Sequence, residues 1–338
     1  LGPFLLPEFR ARSAGRIDWL SAALSALGIL SISYGIKRAA LGGFGFASAL
    51  CLLGGIAMGM IFIRRQRSLS EPLLDLGLFR VPSFGISLAT NTLTLFVTFG
   101  SFLFIAQYLQ QVLGLSPLVA GLCTIPSAGG FVAGSMLAPQ LVKRFQAASV
   151  VAFGLFVSAI GTLLLTRVEA NSALALVVCA SLLLALGTSP AVTLSTDLIL
   201  SSAPADRAGA ASALSETSSE LGGALGIAIL GTVGGAIFRW RMSELGDPLG
   251  AGQAAARDTL SSALAFSAQL PPGSAASLAL HARGAFTEGM HVAALIGLVI
   301  AVASAVLVLT CLGRPEPARK ASSLVLLGQI ASRPESRP

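Results

Sequence analysis

The sequence predicts an all-α membrane protein with eight transmembrane helices. Three observations carry this expectation. Hydrophobic residues make up 54% of the 338 residues and charged residues only 11%, where a soluble domain carries about 25% charged residues. Apolar runs recur, each close to the ~20 residues that cross a bilayer as a helix. The 62 residues between Arg80 and Lys143 contain no charge at all. Strands are not expected, because the runs are long and do not alternate, and only helices or closed barrels satisfy the backbone in lipid.

Taken in order, the expected spans are 19–36, 41–63, 84–113, 118–142, 147–166, 172–199, 209–238 and 289–312. Lys37 and Arg38 divide the first pair, and Arg64, Arg65 and Arg67 follow it. The charge-free stretch is too long for one span. It divides at Gly114-Leu115-Ser116-Pro117, where Pro117 pre-sets a helix start after a tight turn. Lys143-Arg144, Arg167 and Arg207 separate the spans that follow. Residues 1–18 read as a basic cytoplasmic lead-in and 64–83 as a cytoplasmic loop. Residues 239–288 read as a long external loop rich in Ala, Ser and Gly, and 313–338 as a disordered cytoplasmic tail rich in Arg, Pro and Ser. Within the external loop, the apolar stretch from Leu260 to Phe266 is expected on the membrane surface or in a collapsed loop.

The net charge of +7 does not point to nucleic acid. The basic residues sit in short clusters between apolar runs, as cytoplasmic loops near anionic headgroups do. Fifteen Lys and Arg residues fall on the side of the termini and seven on the other. Both termini of this segment are therefore expected in the cytoplasm of a cell inner or plasma membrane. Cys51, Cys123, Cys179 and Cys311 lie far apart inside apolar runs and read as buried small hydrophobes. Gly55/Gly59, Gly130/Gly134, Gly222/Gly226 and Gly231/Gly235 are each four apart, the spacing that lets helices approach closely in a packed bundle.

Three carboxylates fall in spans, where ionisable groups are costly and point to function. Glu216 and Glu220 are four apart on span 209–238 and share a face with Ser212. Glu220 is about 16 Å in from Gly209 at 1.5 Å per residue, near mid-membrane. Low dielectric and a like-charged neighbour both favour a protonated carboxyl, which can trade its proton for a cation. A protonated Glu that merely ties two helices together is the alternative. Asp197 lies near the cytoplasmic end of span 172–199, where it could instead be wetted or serve as a cap. Span 84–113 carries Phe96, Phe99, Phe102, Phe104 and Tyr108 with Asn91, Thr92, Gln107 and Gln110. Aromatic faces suit lipophilic cations, though packing or lipid contact would use the same residues. Asn91, Phe99, Phe102, Gln107, Tyr108 and Ser212 are thus candidate pocket residues. His281 and His291 are expected to be interfacial or hydrogen-bonded. No P-loop, dinucleotide fingerprint or zinc-protease helix is present, so neither an enzyme nor a cofactor or metal site is expected.

The run Gln107-Tyr108-Leu109-Gln110-Gln111-Val112-Leu113-Gly114-Leu115-Ser116-Pro117, followed by Ala120-Gly121 and Pro126, resembles the major facilitator superfamily. More narrowly it resembles the fourteen-helix drug:proton antiporters, the quaternary ammonium and methyl viologen efflux pumps. Ala203-Pro204-Ala205-Asp206-Arg207-Ala208-Gly209 through Glu216-Thr217, and Glu220-Leu221-Gly222-Gly223-Ala224-Leu225-Gly226, are similar to that family too. So is the lead-in, with Leu6-Pro7-Glu8 and Gly15-Arg16-Ile17-Asp18. The resemblance implies that 19–63 is a linker transmembrane hairpin and 84–312 the six-helix C-terminal bundle, a pair of three-helix inverted repeats. It implies proton-linked acids on the penultimate helix at Glu216 and Glu220, and a degenerate cytoplasmic loop motif at Lys143-Arg144. It implies lipid, protons and small-molecule cargo as partners, together with a six-helix N-terminal half that this chain lacks. The expected function is the C-terminal part of a proton-coupled efflux transporter for lipophilic, cationic compounds. Export of an amino acid, peptide or lipid-like metabolite stays open. So does a transport-incompetent truncated membrane module.

Overall fold

A computed structural model describes residues 18–42, 45–69, 76–170, 173–204, 207–244 and 257–312. The expected lead-in and tail lie outside these. The described residues are helical, without strands. We label the helices α1 (Trp19–Gly42), α2 (Phe46–Ser68), α3 (Pro82–Gln107), α4 (Pro117–Cys123), α5 (Ile125–Val142), α6 (Ala147–Leu165), α7 (Leu174–Ser202), α8 (Ala208–Ser243), α9 (Leu260–Ser267) and α10 (Pro272–Cys311). Among the described residues, seven helical stretches are long and apolar enough to span a membrane, α4 and α5 counting as one. In α1 the shorter apolar stretch Trp19–Gly35 is described.

The expected turn at 114–117 forms. The last turn of α3 widens into a π-helical turn, Tyr108–Val112, closed by the Leu113 amide donating to the Tyr108 carbonyl at 3.0 Å. Gly114 then takes φ +69°, a left-handed value open to glycine at no steric cost. Ser116 caps α4 by accepting from the Val119 amide, and Pro117 is its first residue.

α1 and α2 form a hairpin that reaches the rest of the chain mainly through α8. Its base is a clasp. Arg65 donates from Nε to Asp18 Oδ2 at 2.9 Å and from Nη2 to Oδ1 at 3.2 Å. Ser21 donates to Asp18 and accepts from Gln66. In the bundle, α3 meets α7, α8 and α10, and α6 packs on α7 and α10. The first helix of each expected triplet packs on the middle helix of the other: α3 on α8, and α7 on α5.

Of the four glycine pairs, Gly222/Gly226 lies against the α3 backbone at Thr92 and Phe96, and Gly130/Gly134 lies against α7. Gly55 meets Gly28 of α1, while Gly59 faces open space. Gly231/Gly235 makes no backbone contact. One residue earlier than Gly235, Gly234 meets Gly289 of α10 instead. Cys179 and Cys311 are exposed and Cys51 and Cys123 half-buried, which corrects the expectation of buried cysteines. The outside of a membrane bundle faces lipid, so an apolar thiol gains nothing by being inside.

The loop expected over 239–288 is largely helical where it is described. α8 runs on to Ser243, and α10 begins at Pro272, far ahead of the expected start at 289. α9 buries Leu260 and Ala263 in one cluster with Phe238, Met242, Leu278, Ala282 and Phe286. Arg241 pairs with Glu288 and Glu244 across the helix ends. The stretch from Leu260 to Phe266 therefore packs on α10, and its apolar residues find protein partners. This cap lies at the end of the bundle opposite Arg80, Lys143 and Arg207, which we term the basic end.

Candidate functional site

The local build of α8 decides where its carboxylates point. One face is small: Ser215, Ser218, Gly222 and Gly226 are buried. The lack of side chains at Gly222 and Gly226 lets α3 come within backbone contact. Asn91, fully buried on α3, donates from Nδ2 to Ser219 Oγ at 2.8 Å, and Ser219 donates to the Ser215 carbonyl at 2.8 Å. This polar strut, together with the glycine contact, sets the rotation of α8. Ser212, Glu216 and Glu220 are consequently turned away from this buried face and are exposed among the described residues.

The aromatic candidates join this face in part. The Phe99 ring lies against Gly223, one turn beyond Glu220, and is 48% exposed. A β-carbon at 223 would stand 3.2 Å from the ring, so glycine makes the room. One turn along α3, Phe102 lines a cleft of about 320 Å³ with Thr98, Thr124, Ser127, Phe131 and Ala185. Glu216, Glu220, Phe99 and Phe102 thus lie along one surface that crosses α8 and α3 to α5. It offers carboxylates at one end and two phenyl rings with three hydroxyls at the other. Phe131, Ser127, Thr98 and Thr124 were not among the expected residues. Their link to Phe102 depends on α5 lying beside α3, which no local pattern reveals.

Four candidates lie elsewhere. Tyr108 is fully buried at the cap end and donates to the Glu169 carbonyl at 2.7 Å. It is a packed core residue with no exposed surface. Gln107 is half-buried beside it, two turns beyond Phe99. Asn91 acts behind the face through Ser219 and presents no open surface. Asp197 is exposed on α7 but lines a separate cleft of about 550 Å³ with Val142, Ala147, Leu194, Leu198 and Ser201. His291 Nε2 lies 2.6 Å from the Val168 carbonyl, as a hydrogen-bonded histidine should. Among the described residues no cluster of His, Cys, Asp and Glu could hold a metal ion.

Comparison with known proteins bears on this arrangement. The family model described as Major Facilitator Superfamily matches residues 6–227. The chain is 37% identical over 308 residues to the multidrug efflux pump LfrA of Mycolicibacterium smegmatis, covering 91% of this chain and 61% of that protein. It is 28% identical to the tetracenomycin C resistance and export protein of Streptomyces glaucescens, covering 93% of this chain and 60% of that protein. It therefore spans about three-fifths of these relatives' length. The fold is similar to a bacterial homologue of the human lysosomal transporter Spinster, crystallised inward-facing and unoccupied. The TM-score is 0.54 at 19% identity, over 88% of this chain and 70% of that one.

Proposed function

This chain belongs to the major facilitator superfamily of membrane transporters, and on that premise we propose that it forms one wall of a proton-coupled efflux pathway for lipophilic, cationic compounds. The observation that carries the reading is the uncovered face of α8. Two carboxylates on a membrane-spanning helix are exposed among the described residues, on the side of α8 where the half-exposed ring of Phe99 lies against Gly223. A second bundle docked on this face would enclose them in a space with restricted water. There a carboxyl can hold a proton, lose it to one side, and attract a cation in the deprotonated state. The phenyl faces of Phe99 and Phe102 add cation–π attraction for a flat or alkylated cation.

The missing partner in this reading is a six-helix N-terminal half, against which the C-terminal bundle rocks. The reciprocal packing of α3 on α8 and α7 on α5 supports a pseudo-two-fold relation between 84–166 and 172–312. The isolation of α1 and α2 supports their role as a linker hairpin. The similarity to a multidrug efflux pump and to an antibiotic export protein supports export over uptake.

The deciding experiment is Glu220→Gln in the full-length protein, with dye efflux measured under an imposed pH gradient and membrane abundance checked in parallel. Gln keeps the size and hydrogen bonding but cannot release a proton. Loss of gradient-driven efflux at normal abundance is expected, with partial retention in Glu220→Asp. Wild-type export by Glu220→Gln would remove Glu220 from coupling.

A further inference from the structure

We propose that the groove between α5 and α6 at the basic end binds an anionic phospholipid, its acyl chain in the groove and its phosphate on Lys143 and Arg144. The inference stands apart from the efflux reading and needs only that the bundle lies in a membrane.

The groove exists because of how the two helices pack. α5 and α6 are joined by the short turn 143–146, yet they barely touch, since each packs on α7. The gap between them holds about 390 Å³ and is lined by Leu141, Phe145, Ser149, Val150 and Phe153. Phe145 is 58% and Phe153 67% exposed, so the walls are aromatic and aliphatic and the groove opens to the surroundings of the bundle. In a membrane those surroundings are acyl chains.

The mouth of the groove is charged. The Arg144 and Phe145 amides both donate to the Leu141 carbonyl, at 3.0 and 2.9 Å, which closes the turn tightly. The turn therefore carries Lys143 and Arg144 between two residues, Leu141 and Phe145, that line the groove. Both cations are exposed and neither forms an ion pair among the described residues. Asp197 lines the separate cleft with Val142 and Ala147 and is paired with neither. Ser149 adds an exposed hydroxyl in the groove wall that can donate to a phosphate or ester oxygen. The first turn of α6 follows with no side-chain cap, so its amides add to the positive field.

Charge complementarity selects the occupant. It must carry a long apolar part for the groove and a net negative head for two cations, as a phosphatidylglycerol-type lipid does. A zwitterionic lipid fills the groove but leaves the cations without a net counter-charge. Free phosphate satisfies the cations but leaves the groove empty.

The test is native mass spectrometry of the purified full-length transporter in detergent. It is titrated with phosphatidylglycerol, with phosphatidylcholine of the same chains, and with inorganic phosphate. Phosphatidylglycerol is expected to bind about tenfold more tightly than phosphatidylcholine. Lys143→Gln with Arg144→Gln should erase that preference and leave phosphatidylcholine binding unchanged. Ser149→Trp, an exposed position in the groove wall, should weaken both lipids. If that variant fails to fold, Phe153→Ala, also exposed, takes its place. Equal binding of the two lipids to the wild type would overturn the proposal. So would a preference that survives the double charge variant, or groove variants that bind as wild type does. Full competition by inorganic phosphate would reduce the site to an anion patch. No lipid binding at all would overturn the proposal as well.

Discussion

Gly226 of α8 sits against the backbone of Phe96 of α3, so close that a β-carbon on it would stand 2.8 Å from the Phe96 carbonyl carbon. Helices that approach this closely gain van der Waals contact along both backbones, the main source of helix association where lipid removes the hydrophobic drive. Gly226→Ala is therefore expected to push α8 off α3 at a cost of about 1–3 kcal/mol. Gly59→Ala, at a position facing open space, should be neutral. Thermal melting of the two variants in detergent checks both. Equal melting temperatures would show that the contact is not tight.

Phe99 is expected to matter for cargo and not for the proton. Phe99→Ala removes a half-exposed ring beside Gly223 and should raise the half-saturating concentration of aromatic and alkylated cations several-fold. An exposed cation–π contact contributes about 0.5–1 kcal/mol and a desolvated one about 2 or more. Glu216→Gln should narrow the range of cations handled while leaving coupling through Glu220 intact. Efflux assays with a dye panel separate the two outcomes, and a uniform loss across all dyes for Phe99→Ala would argue for packing.

The clasp at the base of the hairpin has a defined pH window. Arg65 and Ser21 hold the Asp18 carboxyl down to about 2 from its ordinary 3.8. A carboxyl whose pKa is lowered on folding adds stability above its unfolded pKa and loses it as pH falls through the folded one. Pairing of α1 with α2 should thus be insensitive to pH from neutrality down to about 4, then weaken toward about 2. Asp18→Asn should loosen the base at all pH values and abolish this dependence. Spin labels across the hairpin would report the spacing. The pair is only half-buried, so high salt should reduce the effect.

Tyr108 should be a stability residue. Tyr108→Phe removes the hydroxyl that donates to the Glu169 carbonyl and keeps the ring in the cap core. The expected loss is about 1 kcal/mol, with efflux per folded molecule unchanged. A variant of full stability but altered cargo range would place Tyr108 in the transport path after all.

The loop charges predict one orientation. The turn carrying Lys143 and Arg144 and the tail should be cytoplasmic, and the α9 cap should be outside. An impermeant thiol reagent added to intact cells should label a cysteine placed at Gln269 and spare one at Ser322. Labelling at Ser322 would invert the arrangement.

Seven long spanning stretches stand among the described residues where eight spans are expected, but the all-helical membrane character, the Gly114–Pro117 turn, and the shared face of Ser212, Glu216 and Glu220 were legible in the sequence. These depend on local quantities: transfer free energy summed over about 20 residues, backbone freedom at one glycine, and the 3.6-residue repeat. It could not say whether the carboxylate face turns into the bundle or away from it. That rotation is decided by Gly222 and Gly226 on the α3 backbone and by the bond from Asn91 to Ser219, partners 128 positions apart. Nor could it separate Phe99 from Tyr108, two aromatics on one helix. The first is left half-exposed beside a glycine on α8, while the second is fully buried in the cluster that also takes in α9 and the outer half of α10. That outer half escaped notice because residues 272–288 are too polar to read as a span. They are helical because Leu278, Ala282 and Phe286 find apolar partners in the cap, and burial among distant partners leaves no signature in a local window.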